Sequence, residues 1–77
     1  VIRITFMNHK NFVLSFDLPR NMNTLRVRVF RKLKRINATK VHDSLWSAND
    51  LQGLIEIALL IKRFGGSARI LEEKFVF

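Results

Sequence analysis

Two stretches with helical apolar spacing, residues 25–36 and 51–64, are each bracketed by short segments patterned like strands. Few folds accept that order in so short a chain. In the first stretch Leu25, Val29, Leu33 and Ile36 fall on one stripe, widened by Phe30, and basic residues take the rest of the circumference. In the second, apolar residues from Leu51 to Phe64 cover most of the surface, leaving Gln52, Glu56, Lys62 and Arg63 as a narrow polar strip. A helix on a two-layer fold needs only one buried face, so this surplus asks for cover. Packing against the first helix and the loops would supply it, and so would a homodimer contact.

The intervening segments read as strands. Residues 1–7 alternate, with Ile2, Ile4 and Phe6 opposite Arg3 and Thr5, and a polar turn at residues 8–11 leads into Phe12–Asp17. There Phe12, Leu14 and Phe16 share a face, and Val13 lends apolar character to the other, which predicts a central strand. Leu18-Pro19 ends it, because proline cannot donate to a ladder. Asn23 or Thr24 is expected to cap the first helix, and Asn37 to close it in a left-handed conformation. Residues 39–46 read as extended, broken at Asp43-Ser44. Ser47 to Asp50 caps the second helix and Gly65-Gly66 stops it. Residues 67–77 form a final strand with Ile70 and Val76 on one side and Leu71, Phe75 and Phe77 on the other, which predicts central or interface placement. The sum is one domain over residues 1–77, a two-layer α+β sandwich of ferredoxin-like type. Two helices cover one face of a mixed or antiparallel sheet, and an added N-terminal strand precedes the rest.

With 48% apolar residues the chain can build one compact core. It has no cysteine, so neither disulfides nor a thiolate zinc site can hold the fold, and a cytoplasmic home fits. No apolar run reaches the length of a bilayer span, so no membrane insertion is expected. The segment Val1 to Phe6 lacks a secretory h-region, and a few native residues are expected to precede Val1.

Charge carries the strongest functional signal. Fourteen Lys and Arg face six Asp and Glu, a net charge of +8. Arg20, Arg26, Arg28, Arg31, Lys32, Lys34, Arg35 and Lys40 meet no acid between residues 20 and 40. A solvated helix face usually intersperses glutamates as i, i+4 partners, and none stands here. Guanidinium groups in rows suit phosphates, and such contact would be blind to base sequence. An acidic protein partner or an anionic membrane surface would also satisfy the face.

Asp17 is the only carboxylate in the first half of the chain. Metal-assisted phosphodiester hydrolysis needs oxygen ligands for a hard cation, and a pair of carboxylates across a twofold axis would serve better than one. The structural alternative is a strand-end aspartate bonded to turn amides or paired with Arg20. His42, Asp43 and Ser44 are sequence neighbours, which alternate faces in a strand and so cannot assemble a serine triad. His9 lies in a turn at no metal-ligand spacing from His42. Trp46 could stack on a base, but its large apolar area places it in the core.

The order of an apolar strand ending in FDLPR, the helix TLRVRVFRKLKRINA, the strand VHDSLW and a helix ending in FGG resembles the small CRISPR-adaptation protein family that partners the integrase. It is similar also to the N-terminal domain of chromate-resistance regulators and to the C-terminal part of phenylacetate-degradation repressors. The resemblance spans roughly residues 12–75. It implies a ferredoxin-like protomer, a homodimer and association with nucleic acid or a nucleoprotein complex. It also implies a metal-dependent nuclease role for the aspartate closing the core strand, the position of Asp17, with Mg2+ as its cofactor. The chain departs from that family in the strand at residues 1–7 and in a short or missing C-terminal extension. In the chromate-regulator relatives the matching strand often ends without the aspartate, so the fold does not demand catalysis.

These readings converge on a nucleic-acid-binding domain acting through the basic helix, as a homodimer in a nucleoprotein complex and without a cofactor. Two alternatives stand beside it: a non-catalytic subunit that builds an oligomer or binds a protein, and a nuclease with Asp17 as catalytic residue and metal ligand.

Overall fold

The computed structural model describes residues 10–74. The expected strand at residues 1–7, and residues 75–77 of the expected last strand, lie outside them. The elements run β1 (Phe12–Asp17), α1 (Asn23–Arg35), β2 (Thr39–His42), β3 (Leu45–Ala48), α2 (Leu51–Arg63) and β4 (Ser67–Glu72). The strands form one sheet in the order β2-β3-β1-β4, and every neighbouring pair is antiparallel. This is the ferredoxin-like arrangement, two helices on a four-stranded antiparallel sheet.

β1 is central, as its two-sided apolar character requires. Leu14 lies opposite Trp46 on β3 and Ile70 on β4, and Phe12 lies opposite Ala48. Because paired residues share a face, these side chains join Phe16 in the layer under the helices. Leu14 and Phe16 are buried there with Leu25, Val29 and Leu33 of α1 and Leu54, Ile57, Leu60 and Ile61 of α2. Full burial of each such side chain contributes about 1.5–3 kcal/mol. Trp46 belongs to the same core: its ring lies 5.8 Å from that of Phe30, and its indole Nε1 donates to the Asp43 carbonyl at 3.2 Å. It is therefore not a stacking platform for a base. The opposite sheet face carries Val13, Ser15, Leu45, Ser47, Arg69 and Leu71 by the same register.

β4 pairs only with β1 among the described residues and so lies at an edge of the described sheet. The apolar residues that gave it two greasy faces, Phe75, Val76 and Phe77, are outside the described range. Local endings follow the sequence at three of four helix boundaries. Asn37 is left-handed with φ 59°, Asp50 accepts from the Gly53 amide at 3.0 Å, and Gly65 takes φ 91° after α2. The exception is the start of α1. Met22 occupies the cap position with no side-chain hydrogen bond, so neither Asn23 nor Thr24 serves as the cap; both already lie inside the helix.

Gly66 fixes how α2 returns to the sheet. A Cβ there would stand 2.6 Å from the Asp17 carbonyl oxygen and 2.7 Å from Ile61 Cγ2. The carbonyl belongs to the central strand and cannot swing away, so the clash must be met by moving the whole turn. Gly66→Ala is expected to destabilise the fold by about 1–3 kcal/mol. In a domain of this size that is roughly a 5–20 °C loss in Tm, read by thermal denaturation followed by circular dichroism.

Candidate nucleic-acid interface

α1 presents six cations from one 13-residue helix: Arg26, Arg28, Arg31, Lys32, Lys34 and Arg35. Leu25, Val29 and Leu33 turn into the core, so helical geometry drives the basic side chains onto the outer face and its two flanks. Lys32 is half-buried and the other five are exposed. Among the described residues there are two ion pairs, Lys10 with Glu72 at 3.8 Å and Lys40 with Asp43 at 2.8 Å, and neither involves α1.

That arrangement costs stability. Arg28 has Arg31 and Lys32 as neighbours three and four residues on, Arg31 has Lys34 and Arg35, and Lys32 has Arg35. Each like-charge pair is worth about 0.2–0.5 kcal/mol of repulsion on an exposed helix. The last-turn cations offset part of this by lying at the negative end of the helix dipole. Screening should relieve the remainder. Raising NaCl from about 0.02 to 0.5 M, which shortens the Debye length several-fold, is expected to raise Tm by a few degrees. A fall in Tm with salt would mean that attractive pairs dominate the surface instead.

The eight basic residues anticipated from the sequence separate into groups. Arg28, Lys32 and Arg35 lie on the flank of α1 that meets α2. Arg28 and Lys32 line one cleft between the helices with Leu59, Leu60 and Arg63, of about 310 Å³, and Lys32 and Arg35 line a smaller one with Gly53 and Ile57, of about 80 Å³. Glu56 is the one acid lining either cleft. Arg26 lies on the other flank, close enough to Asp43 to lower its pKa. Arg31 and Lys34 project outward between the two flanks, and Arg20 is exposed in the turn before α1. Lys40 stands apart because Asp43 neutralises it. The hydrogen bond from Lys40, then its charge, holds the Asp43 carboxyl below its ordinary value of 3.8. With the folded value depressed, the pair persists at neutral pH and is lost only as pH falls through that lowered value.

Two residues of this surface are visible only in the fold. Arg63 was part of a polar strip in the sequence, but antiparallel packing of the helices sets the end of α2 beside the start of α1. The same packing brings Phe64, just past α2, under the Arg28 guanidinium at 6.0 Å from the ring centroid. The signal in the sequence was the βαββαβ order itself, which dictates that pairing of helix ends.

Asp17 is exposed at the end of β1, opposite Ser67. The shallow cavity beside it is lined by Ser15, Phe16, Ser67, Ala68 and Arg69, with no second carboxylate. Among the described residues its side chain takes part in neither ion pair, so the anticipated pairing with Arg20 is not formed, and no cluster of three His, Cys, Asp or Glu side chains could hold a metal ion. His42, Asp43 and Ser44 are exposed neighbours at the β2–β3 turn. No helix among the described residues is long and apolar enough to cross a membrane.

No family model, no curated protein and no solved structure significantly matches this chain.

Proposed function

We propose that this domain binds nucleic acid through the sugar-phosphate backbone, using the outer face of α1 and its α2-facing flank. The observation that carries this reading is a helix with six cations, none of them paired with an acid among the described residues. Such a face releases condensed counterions when it meets a polyphosphate, and its internal repulsion is relieved at the same time. Arg28, Arg31, Lys32 and Arg35 make the main contacts, with Arg63 joining from α2; Arg20, Arg26 and Lys34 extend the field, and Lys40 contributes least. The resemblance to the CRISPR-adaptation family points the same way, toward a cytoplasmic nucleoprotein complex. The test is a gel shift at rising salt with duplex and single-stranded probes. Binding that weakens steeply with salt supports the reading, and no binding at low salt contradicts it.

A second reading rests on its own observation. Leu51, Ile55 and Leu59 recur every fourth residue on α2 and are 38%, 37% and 60% exposed. Such a stripe serves a homodimer or an oligomer-building subunit. Sedimentation velocity of the wild type and of Leu59→Lys separates the two cases: a dimer that the lysine dissociates supports assembly, and a monomer throughout removes it.

In this reading Asp17 holds no metal, and among the described residues its exposed side chain makes neither the ion pair with Arg20 nor a hydrogen bond to the turn amides. Asp17→Ala is expected to leave backbone affinity within about twofold, since an exposed carboxylate contributes only screened repulsion. Magnesium-dependent cleavage by the wild type that disappears in Asp17→Ala would instead establish the nuclease.

A further inference from the structure

We infer that the cavity where α1 begins and α2 ends is a pocket for one unpaired nucleobase, so that the strand held by α1 is single-stranded there. This rests on the nucleic-acid reading above and narrows it. The cavity measures about 210 Å³ and is lined by Asn21, Met22, Asn23, Thr24, Arg28 and Phe64, among others, with no acid in its wall. A base needs a flat apolar partner for its face and donors and acceptors for its edge. Phe64 meets the first need: it is 40% exposed, whereas Trp46 is 6% exposed and Phe30, packed on it, is half-buried. The side-chain amides of Asn21 and Asn23 and the hydroxyl of Thr24 meet the second, each able both to donate and to accept.

Among the described residues these polar groups make no other side-chain hydrogen bond. The side-chain hydrogen bonds among the described residues involve Trp46, Ser47 and Asp50, and α1 starts without a side-chain cap. Arg28 connects the cavity to the backbone-binding cleft, because it lines both and stands over Phe64. A strand whose phosphates follow Lys32, Arg28 and Arg63 thus brings a base to Phe64. A duplex cannot offer that base without unpairing it, so the pocket selects single strands or frayed ends.

The test uses fluorescence anisotropy with three labelled probes: a single strand of about twelve nucleotides, an abasic strand of the same length and a duplex. Wild type is expected to bind the base-bearing strand tighter than the abasic one. Phe64→Ala should weaken the base-bearing strand roughly 5- to 100-fold and the other two less than twofold. Phe64→Trp should restore affinity, with an indole emission quenched by the base-bearing strand alone; a Trp46→Phe background isolates that signal. Asn23→Ala, at an exposed site, tests the edge contacts if Phe64→Ala melts early, and should cut the preference for bases several-fold. Equal affinity of wild type for the base-bearing and abasic strands overturns the pocket, as does an unchanged preference in folded Phe64→Ala. In both cases retained backbone binding leaves the α1 reading intact. Failure of wild type to bind any probe at low salt overturns both.

Discussion

Arg28→Glu combined with Arg31→Glu is expected to lower affinity for nucleic acid at least about 50-fold near 0.1 M salt, where each lost phosphate contact removes close to one decade. Charge reversal adds repulsion to the loss of two contacts, so the true effect should be larger. The slope of log affinity against log salt should also fall by about 2, close to 0.9 for each contact. Both side chains are exposed, and neither takes part in an ion pair among the described residues. Their replacement also removes the like-charge pairs along α1, including Arg28 with Lys32 and Arg31 with Arg35, so Tm should hold or rise. Anisotropy and thermal melting on the same preparation check both halves. Unchanged affinity in the folded variant would remove this face as the binding site.

Leu33→Ala, on the opposite side of the same helix, is expected to do the reverse. Leu33 is fully buried among the core residues of α1, α2 and the sheet. Truncation there loses transfer free energy and leaves a cavity, about 2–5 kcal/mol together. A domain of 77 residues holds little stability in reserve, and the loss corresponds to a Tm drop of roughly 10–30 °C. Below that lowered Tm, affinity per folded molecule should stay within about twofold, because every cation remains in place. Urea denaturation gives the stability change, and a destabilisation under about 1 kcal/mol would mean that the core is not packed around α1 as described.

The contrast between these two variants shows what the sequence made legible. Periodicity alone separated Leu25, Val29 and Leu33 from the cations between them, because side chains three and four apart share a helix face. Proline at residue 19 and the glycine pair at 65 and 66 marked element ends through backbone chemistry that any fold must respect. The central position of β1 followed from Val13, an apolar residue on the face away from the helices. What stayed hidden depended on contacts between elements. Arg63 and Phe64 join the basic surface only because antiparallel packing sets the end of α2 beside the start of α1. Lys40 leaves the surface because a tight turn folds Asp43 back to it at 2.8 Å. The start of α1 is hidden because Met22 takes the cap position without a side-chain hydrogen bond, so no capping residue marks it in the sequence.

Binding of a polyphosphate backbone by α1 is checked first by a salt titration of affinity. Purified protein is titrated into labelled duplex DNA and single-stranded RNA, with anisotropy read from about 0.05 to 0.3 M salt. A straight line in log–log form is expected, with a slope of about −3 to −5 for four to five backbone contacts across the two probes. Affinity that does not change with salt, or no binding at the lowest concentration, would contradict it.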